Sequence, residues 1–230
     1  MRKWGILISA FYAFILLVLI VPGVVFLAGP DFSDHALRDT YGDWLVWITV
    51  FIVLSAQALL LFLSVDTSHK RLKPRAHIMV SCAVVALLTA LLTTAVVWSL
   101  GVAFRGDKFF EFFDDFSKRF LDNDKYFLAY LILAFWGTLW LLWAILFYFY
   151  YRNSSPVITR LISWLLKGSI LELLIVVPCH VIVRRRHDCS APGATSFGIA
   201  TGLAIMLLSF GPSVLFLYKK RLDSYSSHPK

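Results

Sequence analysis

Apolar residues run almost without interruption through residues 4–28, 44–65, 78–104, 126–151 and 197–218, and each run ends in a short polar stretch. A helix rises about 1.5 Å per residue, so runs of about 20 residues cover the roughly 30 Å hydrocarbon core of a bilayer. Five transmembrane helices are therefore predicted. In the first, Pro22 and Gly23 predict a kink of the kind membrane helices tolerate. In the second, Trp44 and Trp47 stand at interface depth and Gln57 is the one strongly polar interior residue. The third is rich in Ala, Thr and Ser, small residues that let neighbouring helices approach closely.

Residues 156–183 break this pattern. Ser155 and Pro156 form a good helix start, and Arg160, Ser163 and Lys167 then share a face, which predicts a short interfacial helix over 156–167. Gly168 suits the end of that helix, and Ser169-Ile170-Leu171-Glu172 has the spacing of a capping box for a second one. From residue 170 to 183 a helix extends only about 21 Å, short of the bilayer core. Pro178 weakens it further. The sequence thus predicts two short helices hinged at Gly168-Ser169. Residues 161–183 would make either a sixth crossing, the favoured reading, or a re-entrant hairpin arm. Between the third and fourth spans, Phe109, Phe113, Phe116 and Phe120 line one face of a second interfacial amphipathic helix, expected over 107–121. The fold class read from the sequence is an all-α polytopic membrane helical bundle, one integral membrane domain over residues 1–230.

Composition agrees with the pattern. Of the 230 residues 59% are hydrophobic and only 16% charged, far from the balance of a soluble domain. The formal net charge of +8 would suit nucleic acid, but the basic residues gather at the ends of apolar runs, where lipid headgroups meet them. The partners expected are the lipid bilayer and other membrane proteins, with no nucleic acid. Arg2 and Lys3, and the cluster Lys70, Arg71, Lys73 and Arg75, mark a cytoplasmic side. The acidic loop 30–43 faces the opposite side, and a bacterial cytoplasmic (inner) membrane is the expected location. Counted over six crossings, 12 basic residues fall inside and 9 outside, with Lys167 within the span; a re-entrant arm gives 12 and 10. That difference does not choose between the two topologies.

Chemistry-bearing side chains concentrate in residues 168–192. Glu172 is either half of the capping box or an acid at membrane depth, where ionisable groups are costly and commonly functional. With Lys167, Ser169 and His180 it forms a candidate polar cluster. Cys179, His180, His187 and Cys189 supply soft-metal ligand types, but their spacing matches no structural zinc signature and requires the chain to fold back after Arg186. Unpaired thiols are the plainer reading, and no cofactor is expected beyond that metal possibility. Arg184, Arg185 and Arg186 mark a membrane boundary and present the donors for an anion or lipid headgroup. Gly198 and Gly202 form GxxxG, a helix-packing face. Trp136, Trp140 and Trp143 share a helical face that reads as packing. No phosphate loop, G-x-S-x-G or HExxH motif is present. The expectation is a non-catalytic membrane component, a small subunit, scaffold or assembly factor. The alternatives are a small transporter or channel with a polar path at Glu172 and His180, and a thiol or metal-binding protein.

Overall fold

The computed structural model describes residues 2–28, 34–42, 44–64, 74–106, 108–109, 127–151, 157–186 and 191–226, and no strand occurs among them. The helices are α1 (Arg2–Ile15), α2 (Val21–Ala28), α3 (Asp34–Gly42), α4 (Trp44–Ser64), α5 (Pro74–Arg105), α6 (Phe127–Tyr151), α7 (Val157–Arg186) and α8 (Ala191–Ser226). Five apolar stretches are long enough to cross a membrane: Ile6–Leu27, Ile78–Arg105, Ala134–Tyr151, Arg160–Arg186 and Pro192–Phe210. A shorter apolar stretch, Val46–Leu60, lies within α4, whose 21 residues rise about 31 Å. The chain is an all-helical integral membrane protein.

α1 and α2 are one span joined by a π-helical turn, Leu16–Ile20, and Pro22 explains the turn. Proline has no N–H and its ring crowds the preceding turn, so the winding widens just upstream. The Val21 N–H reaches back to the Leu16 carbonyl. The next donor in that winding would be residue 22, so the Leu17 carbonyl is left open. The Tyr41 hydroxyl of α3 donates to it at 2.5 Å, and Trp47 Nε1 in turn donates to the Tyr41 carbonyl at 2.7 Å. The predicted kink is thus a π-helical turn plugged from outside.

The segment predicted as two short helices is a single one. α7 runs unbroken for 30 residues, about 45 Å, so residues 157–167 are its first turns and not a separate interfacial helix. Ser169 sits buried in mid-helix and donates to the Leu166 carbonyl at 3.0 Å. The capping box is therefore not formed. The S-x-x-E spacing is also one helical turn, and in an uninterrupted helix it places Ser169 and Glu172 on a common face. Pro178 lies inside α7 without ending it, as membrane helices allow. The Phe-rich helix expected over 107–121 lies outside the described residues apart from Lys108 and Phe109.

α5 is the centre of the bundle, packed by α4, α6, α7 and α8. Ser81, Val85, Leu88, Leu92, Ala95, Ser99 and Val102 are all buried, and their alternating spacing of four and three is the repeat of a coiled-coil seam. Leu92 of α5 lies beside Gly168 of α7, and farther along both helices Arg186 Nη1 donates to the Ala103 carbonyl at 2.7 Å. α5 and α7 therefore run in the same direction. At the same end Gly106, with φ of 60°, closes α5 through its N–H on the Val102 carbonyl at 2.8 Å. The Phe109 ring folds back against Gly101 and meets Trp98 edge-on at 5.7 Å. The N-terminal span packs on the C-terminal one, where the Tyr12 hydroxyl donates to the Ala204 carbonyl at 2.6 Å.

Candidate functional site

α7 and α8 form an antiparallel hairpin whose seam holds Ser169, Glu172, Cys179 and His180 of the residues singled out above. Ser169, Glu172, Val176, Cys179, His180 and Val183 are buried on α7; Thr195, Gly198, Gly202, Ile205 and Ser209 are buried on α8. Both rows repeat at three and four residues, the period at which two helices keep one seam in contact. Three levels fix the register. A side chain at Gly202 would occupy the space of the Glu172 carboxylate, and one at Gly198 would come within 2.9 Å of Val176 and 3.0 Å of the Ser99 hydroxyl. His180 Nδ1 lies 2.8 Å from Thr195 Oγ1. The small residues of α8 are what make room for a carboxylic acid between the helices.

Glu172 is only 2% exposed. Neither carboxylate oxygen has a hydrogen-bond partner. It stands twelve residues, about 18 Å, from Arg160 towards one membrane face and from Arg184 towards the other. That is the depth at which an unpaired charge is most expensive. Glu172 lines a cavity of about 550 Å³ between α5, α6 and α7, to which Thr89, Thr93, Trp143, Trp164 and Lys167 also contribute. The two tryptophan rings are tilted at 60° with centroids 5.5 Å apart. The threonine hydroxyls give their hydrogens to their own helix, Thr89 to the Val85 carbonyl at 2.8 Å and Thr93 to the Thr89 and Ala90 carbonyls, each at 3.0 Å.

The candidate polar cluster is distributed rather than gathered. Lys167 is exposed, Ser169 is tied to its own helix, and His180 lies two turns beyond Glu172 on the same seam. The Thr195 hydroxyl donates to the Pro192 carbonyl at 3.1 Å, which leaves its oxygen to accept from His180 Nδ1–H. Cys179 and Cys82 are buried and free. His187 and Cys189 lie outside the described residues, and no group of three metal-ligating side chains occurs among the described ones. Arg184, Arg185 and Arg186 are exposed at the end of α7, and Arg186 is committed to the last turn of α5.

The tryptophan stripe is largely occupied with protein. Trp140 Nε1 donates to the Ala83 carbonyl at 3.0 Å, and Trp143 packs on Phe147 and Trp164. Gln57 is buried with Oε1 unpartnered, as is the Ser99 hydroxyl beside Gly198. Thr89, Thr93, Trp164 and Thr195 were not anticipated as site residues. The heptad row of α8, visible in the sequence, carries the signal that places Thr195; no such row marks Thr89, Thr93 or Trp164. Comparison of this chain with protein-family models, with curated proteins and with solved structures finds no match.

Proposed function

We propose that the chain is a small non-catalytic carrier of the cytoplasmic membrane, in which Glu172 takes up a proton or a cation at mid-membrane. The observation that carries this reading is the acid itself, buried, without a hydrogen-bond partner and held against a glycine on an adjoining helix. An ionised carboxylate in that position costs several kcal/mol unless a positive species joins it. A purely structural role would be met better by an apolar side chain of the same size. Six crossings would put the start of α1 and the end of α8 on one side, and the 12 to 9 excess of basic residues counted for that side supports a cytoplasmic N-terminus in a bacterial membrane.

The test is proton entry into liposomes holding the purified protein, driven by a potassium diffusion potential and read by an internal pH dye. The wild type should acidify faster than protein-free liposomes, Glu172→Asp should retain part of the rate, and Glu172→Gln should fall to the protein-free rate. Undiminished flux in Glu172→Gln sinks this function.

A second reading, a subunit, scaffold or assembly factor, draws on α6. Leu141, Leu142, Ile145, Leu146, Phe149 and Tyr150 are exposed on it, a face that a partner membrane protein would cover as readily as lipid. Copurification of other membrane proteins in mild detergent, lost on replacing Leu142 and Phe149 by serine, is the expected result. Isolation only as a monomer counts against it.

A further inference from the structure

We propose that the cavity between α5, α6 and α7 binds an organic cation, an amine or onium ion with an apolar body, for which Glu172 is the counter-ion and Trp143 and Trp164 the aromatic wall. The inference rests on the reading of Glu172 as a proton- or cation-binding acid. A volume of about 550 Å³ falls in the range of small-molecule pockets. The wall is almost wholly apolar, which excludes sugars and nucleotides and selects a ligand that travels in lipid.

Its sparse polar groups have one character. Thr89 and Thr93 have given their hydrogens to backbone carbonyls, so each offers the cavity only lone pairs. Glu172 brings two unpartnered oxygens. Trp143 and Trp164, which line the cavity, add aromatic rings, whose electrons attract cations. Every one of these groups accepts positive charge or a donated hydrogen.

Lys167 is the exception, and its station explains it. It is exposed, and helical side chains lean towards the helix start, which for α7 is the Arg160 end. Its flexible stem carries the ammonium towards the headgroups. The elements packed around Glu172 bring Thr89 and Thr93 from α5, Trp143 from α6 and Gly202 from α8 to it or to its cavity. Among the described residues Lys167 is the one other charged group lining that cavity, and His180 stands two turns away. Binding turns the carboxyl group from the Gly202 side into the cavity. As the cation enters, the acid releases its proton to water, so the charge within the cavity is unchanged: one cation in, one proton out.

Equilibrium binding of radiolabelled tetraphenylphosphonium to the purified full-length chain, corrected for protein-free micelles, tests this. The wild type should bind more tightly as pH rises, by up to about tenfold per pH unit for one displaced proton. Glu172→Gln should bind at least about tenfold more weakly, a single lost ion pair, and Glu172→Asp should retain binding. Lys167→Gln should tighten binding and Trp164→Leu should weaken it.

Unchanged affinity in Glu172→Gln overturns the proposal. So does weaker binding in Lys167→Gln together with competition by oleate, which would make this a site for anionic amphiphiles headed by Lys167. Wild-type protein that binds no phosphonium, yet loses proton entry in Glu172→Gln, refutes the ligand class alone and leaves the carrier reading standing.

Discussion

Gly202→Leu is expected to leave the protein unable to close its α7–α8 hairpin, with loss of monodisperse protein after detergent extraction. A Cβ at this position would overlap the Glu172 carboxylate and approach Leu173 Cδ2 to 2.9 Å. Overpacking a buried seam costs about 1–3 kcal/mol where neighbours can shift and more where they cannot. Alanine forces two adjustments, the swing of Glu172 into the cavity beside it and a small shift of the flexible end of Leu173, so Gly202→Ala should fold with a modestly lowered melting temperature. Leucine adds three further carbons against the Glu172–Leu173 ledge that its Cβ already overlaps. Gly137 on α6 and Gly193 on α8 provide the contrast, since a Cβ at either meets nothing within 4 Å. Alanine at those two sites should be neutral or stabilising by up to about 1 kcal/mol, the helix preference of alanine over glycine. A Gly202→Leu protein as stable as the wild type would mean that α8 does not approach α7 along this face.

Glu172→Met should have the opposite effect on stability. It removes two buried oxygens that have no hydrogen-bond partner and replaces them with an apolar chain of similar length. An unsatisfied buried polar group costs about 1–3 kcal/mol, and apolar replacement of buried charged groups is frequently stabilising. The expected result is a melting temperature in detergent several degrees above that of the wild type, with proton entry abolished. Stability gained at the expense of activity is the signature of a residue kept for function. A melting temperature that falls instead would show that the carboxyl group contributes structural bonds, and would turn the argument back towards a scaffold.

The same residue shows how far the sequence could be read. Glu172 stands out in any hydropathy pattern, and so does the Gly198–Gly202 pair, but their meeting depends on hairpin register, which no local pattern encodes. The Ser169–Glu172 spacing was ambiguous for a physical reason, because one turn separates both the two halves of a capping box and two residues facing one neighbour. Length decides between them: residues 170–183 are too short to cross alone, and the chain resolves this by continuing the helix from Val157. Pro22 foretold a distortion of the first span. That Tyr41 would fill the carbonyl it leaves open required knowing where α3 folds. Arg184 to Arg186 read from the sequence as a membrane boundary and lie in the last turn of α7, whereas the tie from Arg186 to Ala103 follows from α5 and α7 running in parallel.

The bond from Tyr12 to the Ala204 carbonyl, across 192 residues of sequence, places a demand on biosynthesis. Chains are made at about 5–20 residues per second, so the N-terminal span waits on the order of 10–40 s in the bilayer before its partner emerges. Throughout that interval α4 can shelter it, but the Tyr12 hydroxyl must find a temporary acceptor among water, lipid headgroups or the insertion machinery. Closure of this contact is therefore a late event that joins two segments made far apart in time. A ribosome stalled before α8 would release a chain whose first span is still open to the proteases that patrol membranes.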